Sequence, residues 1–154
     1  MTLYALRLPP GSTSLDDAEV VDESRYGWEF LEQTIALWRL VDPGRGDAIA
    51  AIRNRASDAS DDRTQFTGDD LVALVRLIDD VDDAIVNAGI ADADWRVPPE
   101  RLADLASRVP GMDLTTERSL ESKTHALGEV MINAVSLRNF LSEAQRAGCV
   151  VVHD

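Results

Sequence analysis

Apolar and polar residues alternate over residues 2–8, with Tyr4, Leu6 and Leu8 on one side and Leu3, Ala5 and Arg7 on the other, until Pro9-Pro10-Gly11 ends the run. This period of two predicts a short strand. At the other end of the chain, Cys149-Val150-Val151-Val152 reads as a second strand, and Val20-Val21, inside the acidic stretch from Leu15 to Glu23, marks a third. An isolated strand leaves its backbone groups without partners. The expected arrangement therefore pairs residues 2–8 with 149–153, with 19–22 alongside, in a small sheet packed against helices.

Between the terminal strands the apolar spacing changes to that of helices. A first helix is expected from near Ser24 to Val41. Tyr26, Phe30, Leu37, Leu40 and Val41 cover one side of its wheel, while Trp28, Leu31, Ile35 and Trp38 cover much of the other. A helix apolar almost all round belongs at the centre of the fold. Only Glu29, Glu32, Ala36 and Arg39 form a stripe suited to water. Asp42-Pro43-Gly44 ends this helix and starts a second, about 43–59, with Ile49, Ile52 and Ala56 on one face. A polar loop is expected from Ser60 to Gln65. Thr67 then caps a third helix with Asp69 and Asp70 in its first turn, an apolar stripe of Leu71, Leu74, Val75, Ile78, Val81 and Ile85, and Gly89 at its end. A short helix through Leu102 and Leu105 stops at Pro110-Gly111. The longest helix is expected from a cap at Asp113 or Thr115 to Ala147, carrying Leu120, Leu127, Met131, Ala134 and Leu141, with Gly148 as its stop.

These elements define a mainly α fold of the α+β type, about five helices in a bundle with a small sheet formed by the N- and C-terminal strands. At 154 residues, with 45% of them apolar, the chain has the length of one domain and enough apolar material for a core. The pattern shows no internal repeat or linker, and residues 1–154 are expected to form a single globular domain. Cys149 is the only cysteine, the first residues lack the basic start and apolar run of a signal peptide, and a cytoplasmic location follows as the expectation. Charged residues interrupt the apolar stretches well short of the roughly 18 residues that a membrane span requires.

Charge narrows the choice of partner. Fifteen Lys and Arg stand against twenty-eight Asp and Glu, a formal net charge of −13, with Lys123 the one lysine. Such a surface repels nucleic acid and anionic membranes, both of which are bound largely by neutralising phosphate with cations. A basic protein is the expected large partner. Asp79-Asp80-Val81-Asp82-Asp83 places four carboxylates within five residues, and Asp79, Asp80 and Asp83 are the candidate partner-binding residues. Arg76 stands four residues before Asp80, in reach of an ion pair on a continuous helix. Asp82 and Arg138 each fall near the centre of an apolar stripe, which predicts that both are charged and half-buried, that their helices pack together and that the two side chains form an ion pair or join a shared network. Arg45, Arg53, Arg55 and Arg63 lack interleaved aromatics and are expected to pair with the acidic helices.

Other constellations bear on catalysis. Glu29 and Glu32 lie one turn apart, and Asp79 and Asp83 share a face of the third helix, so the four together define an alternative magnesium site. The E-x-x-E pair resembles that of the all-α nucleoside triphosphate pyrophosphohydrolases, which set E-x-x-E and E-x-x-D helices against each other. The resemblance covers Glu29, Glu32 and one pair from Asp79, Asp80 and Asp83, and it implies magnesium-dependent nucleotide hydrolysis. The chain departs from that family in a longer gap between motifs, in the missing second-motif Glu and in having no nearby lysine for phosphate. Glu121, His125 and Glu129 follow a four-residue spacing that suits metal ligands, but their face of the last helix is polar and opposite Leu127 and Met131, as for an exposed surface. His153 is terminal, and Cys149 beside two valines is expected to be a buried hydrophobe. No phosphate loop, dinucleotide fingerprint or nucleophile triad is present. The expectation is an acidic protein-binding module without a cofactor, comparable in size, charge and lack of catalytic residues to the immunity proteins of bacterial toxin systems. The magnesium-dependent hydrolase and a helical homodimer with a structural role are the alternatives.

Overall fold

A computed structural model of the chain describes residues 1–57, 65–112 and 126–153. The order of elements is β1 (Leu3–Arg7), β2 (Glu19–Ser24), α1 (Gly27–Val41), α2 (Pro43–Ser57), β3 (Gln65–Phe66), α3 (Gly68–Ile78), α4 (Val81–Asn87), α5 (Leu102–Arg108), α6 (Ala126–Arg146) and β4 (Val150–His153). The fold is mainly α with a small antiparallel sheet.

The terminal strands pair as their alternation predicts, with Leu3 opposite His153 and Ala5 opposite Val151. β2 joins the other side of β1, and the full strand order is β2-β1-β4-β3. The register shifts between Ala5 and Leu6, which face Asp22 and Val20, so Val21 is an extra residue bulged out of the ladder. The sequence pattern missed β3, whose Phe66 pairs with Val151. One face of the sheet buries Leu3, Ala5, Phe66 and Val151 in the same core as Leu31, Ile35, Leu71, Leu74, Leu127 and Met131. The opposite face carries Tyr4, Leu6, Val20 and Val152.

Helix α1 lies at the centre as expected, packed against α2, α4 and α6. Its close crossing with α2 requires Gly46, because a Cβ there would stand 2.5 Å from Arg39 Cγ and 2.9 Å from the Arg39 backbone nitrogen. Ile49, Ile52 and Ala56 are buried as their spacing predicts. At the start of α3, the Asp70 carboxylate accepts from both the N–H and the hydroxyl of Thr67, each at 3.3 Å.

The expected third helix is in fact two. Asp79 has an extended ψ of 146° and Asp80 the left-handed φ of 59°, so α3 ends at Ile78 and α4 starts at Val81. Asp is among the residues that tolerate this conformation. The apolar stripe nevertheless continues across the break, with Ile78, Val81 and Ile85 all buried. Gly89 and Gly148, both with positive φ, follow α4 and α6 as stops. Of the loop expected from Ser60 to Gln65, Gln65 belongs to β3 and residues 60–64 lie outside the described residues, as do the cap at Asp113 or Thr115, and Leu120, Glu121, Lys123 and His125. No described helix is long and apolar enough to cross a membrane.

Candidate functional site

The wet stripe of α1 is committed to local ion pairs. Glu29 Oε1 accepts from the Met1 ammonium at 2.6 Å, and Glu32 pairs with Arg53 of α2. Partial burial pushes the Glu29 carboxyl up, but the hydrogen bond from the ammonium, a backbone hydrogen bond and the ammonium's charge outweigh it and leave the group below its ordinary value. Two turns beyond Glu32, Arg39 holds Asp47 at 3.0 Å. Arg55 reaches Asp70 at 3.5 Å, so two of the four arginines expected to pair with the acidic helices do so, while Arg63 lies outside the described residues.

The remaining one, Arg45, takes a different role. Its guanidinium donates to the carbonyls of Leu77 at 2.5 Å, Arg76 at 3.2 Å and Asp79 at 2.9 Å, and so closes the C-terminal end of α3 with a positive charge. Cations are favoured at a helix C-terminus, where the last carbonyls lack partners inside the helix. The same guanidinium sits 3.7 Å from the centroid of the Trp38 ring.

Beyond this cap the acidic run divides. Asp79 turns toward α6, where its Oδ1 lies 2.9 Å from Arg138 Nε, both side chains remaining partly exposed. Arg138 thus pairs with Asp79 and not with Asp82, because the break at Asp79-Asp80 removes the continuous wheel on which the Asp82 pairing was projected. For the same reason the expected Arg76–Asp80 pair is absent from the ion pairs of the described residues. Asp80, Asp82 and Asp83 instead gather at the start of α4, with one oxygen of each within 4.8 Å of the others. Among the described residues, no three of Glu29, Glu32, Asp79 and Asp83 gather in this way.

The second acidic surface is the sheet edge. β2 is exposed along nearly its whole length, including Glu19, Asp22 and Glu23, and the short turn before it carries exposed Asp16 and Asp17. Beside this edge the outer face of the sheet opens into a groove of about 230 Å³, lined by Tyr4, Leu6, Leu15, Ala18, Val20, Val152 and His153. Leu6 and Val152 form its buried floor, whereas Val20 is 56% exposed at its side.

Comparison of the chain with protein-family models, curated proteins and solved structures finds no match. Its chemistry must be read from its own residues.

Cys149 is buried, and burial pushes its thiol up from the ordinary range, with the charge of Arg7 offsetting part of the effect. A thiol held protonated is a poor nucleophile, as the reading of a small buried hydrophobe requires. His153 packs against Trp28 with ring centroids 4.8 Å apart and the ring planes tilted by 50°. Glu129 is exposed on α6. The sequence reading missed the Arg45 cap and the groove. The first was signalled by an arginine two residues after the Pro43 helix start, and the second by the outward side of the 2–8 alternation, which is as apolar as the inward side.

Proposed function

We propose that this chain is an acidic binding module for a basic protein, of the design seen in immunity proteins. The observation that supports it is how the cations are used. Arg39, Arg45, Arg53, Arg55 and Arg138 are all engaged by the chain's own carboxylates or carbonyls. Asp80, Asp82 and Asp83, together with Asp16, Asp17 and Glu19 at the sheet edge, form no ion pair among the described residues. The surplus negative charge is therefore concentrated on outward surfaces, where it raises the encounter rate with a positive partner and repels phosphate-bearing polymers. Of the candidate contact residues, Asp80 and Asp83 stay available and Asp82 joins them, while Asp79 is already matched by Arg138.

The reading is tested by affinity capture from the source cell at about 0.1 M salt followed by elution at about 1 M, over which the screening length falls from about 10 Å to about 3 Å. Captured proteins should be basic and released by salt, and Asp80→Asn, Asp82→Asn and Asp83→Asn combined should slow association more than they speed dissociation. Neutral partners retained at high salt would refute it.

A further inference from the structure

We infer that the groove on the outer sheet face is a socket for a lysine or arginine side chain presented by the basic partner, with the aliphatic stem in the groove and the cationic head at its rim. The inference rests on the binding-module reading above and adds a location and a mode of contact.

The groove has an apolar interior of Leu6, Leu15, Ala18, Val20 and Val152, with Tyr4 and His153 completing its lining. The neighbouring carboxylates follow from sequence and register. Asp16 and Asp17 sit exposed between Leu15 and Ala18, whereas Glu19 alternates to the other side of the strand from Val20 and stands opposite Arg7, and Glu23, opposite Tyr4 across the β1–β2 ladder, pairs with Arg25 at 3.6 Å. An apolar channel with an acidic rim complements a side chain that has a hydrocarbon stem and a charged end, and the Tyr4 ring offers a face for the cation. The volume supports a side chain over a metabolite, since small-molecule sites run to about 300–1,000 Å³.

Two features decide between occupants. The backbone N–H of Glu23 already donates to Asp22 Oδ1 at 2.8 Å, so part of the β2 edge is covered by its own carboxylate. This favours contact through side chains on the sheet face over addition of a fifth strand. A second copy of the chain would bring the exposed carboxylates of Asp16 and Asp17 against themselves, a like-charge juxtaposition that opposes association. A basic segment meets neither obstacle.

The test uses the full chain and three fluorescent octapeptides, blocked at both ends, that alternate Val with Lys, Ser or Glu. Binding is followed by fluorescence anisotropy. The Lys peptide should bind at least tenfold more tightly than the Ser peptide, and the Glu peptide should not bind. Val20→Arg places a long cationic side chain of the protein's own beside the groove and should weaken Lys-peptide binding at least tenfold, with the circular dichroism spectrum unchanged. Lys-peptide binding that survives Val20→Arg but falls with Asp80→Asn, Asp82→Asn and Asp83→Asn would overturn the socket and leave the acidic-module reading standing. Equal, salt-independent binding of the Ser and Lys peptides would overturn both the role of charge at the groove and the module reading. A dimer of the chain that Val20→Arg dissociates would assign the groove to a second copy, and no binding of the Lys peptide at millimolar concentration would also refute the socket.

Discussion

Arg45 and Trp38 form the joint that ties α2 to the end of α3: the guanidinium rests 3.7 Å from the indole centroid while its nitrogens take up three carbonyls at residues 76, 77 and 79. Arg45→Ala should destabilise the fold by about 2–4 kcal/mol, from loss of the cation–π contact and of charge-assisted hydrogen bonds to otherwise unmatched carbonyls. Arg45→Lys should restore only part of this, because an ammonium cannot spread its donors over three acceptors in a planar fork. Trp38 Nε1 is buried and donates no hydrogen bond among the described residues, so Trp38→Phe should cost less than Arg45→Ala. Urea unfolding of the three variants measures the order.

The ion pair between Asp79 and Arg138 supports a contrasting expectation. Each side chain is 43% exposed, and such pairs contribute at most about 1 kcal/mol. Asp79→Asn should therefore have a small effect, and Asp82→Asn a smaller one, since among the described residues Asp82 forms no ion pair and has Asp80 and Asp83 gathered beside it. A loss near 3 kcal/mol for Asp82→Asn, as for a buried pair, would require a partner that the described residues do not supply.

The contrast between these sites shows what a linear sequence conveys here. The course of α1 and α2 was legible because Pro43-Gly44 punctuates two clear apolar patterns, and the β1–β4 pairing because both ends alternate and each strand needs a partner. The break at Asp79-Asp80 was not, because Ile78, Val81 and Ile85 keep helical spacing across it and the deciding fact is the backbone conformation of Asp80. Losing that break displaced every inference built on one wheel, including the Asp82–Arg138 pair and the shared face of Asp79 and Asp83. β3 was too short to show an alternation. The groove depends on which side of β1 the helices cover, a tertiary choice between two apolar faces.

β4 occupies an interior position between β1 and β3, and Val151 pairs with both Ala5 and Phe66 while fully buried. Val151→Ala should cost about 2 kcal/mol from the lost methyl groups and the space they leave. Deleting residues 149–154 removes both ladders and should abolish cooperative thermal unfolding. A truncated chain with an unchanged melting temperature would contradict the sheet order.

Glu29 supplies a pH dependence whose direction is fixed. Its carboxyl is below the ordinary 4.5 in the folded chain, held there by the Met1 ammonium against the effect of burial. A group with a lowered folded value stabilises the fold above its unfolded value and loses that contribution as the pH falls through the folded one. The contribution should thus be complete at neutral pH and fade below about pH 4.5. Denaturation curves of the parent and of Glu29→Gln should differ at pH 7 and converge in acid. Curves that diverge as the pH falls would contradict the assignment.

Divalent metal separates the carboxylates more sharply. An ion held by Glu29 and Glu32 would have to displace the Met1 ammonium from one and the Arg53 guanidinium from the other, and the two acids have no third carboxylate gathered with them among the described residues. Asp80, Asp82 and Asp83 have no such competing cation among the described residues, and their mutual repulsion is relieved by any positive charge that approaches. Manganese should therefore stabilise the chain through the start of α4, by the linkage of ligand binding to folding. Thermal unfolding with and without millimolar Mn²⁺ should show the same metal response in Glu32→Gln as in the parent, and none in the combined Asp80→Asn and Asp83→Asn variant. A metal-induced shift that Glu32→Gln abolishes would place the ion on α1 and favour the magnesium-dependent hydrolase over the binding module.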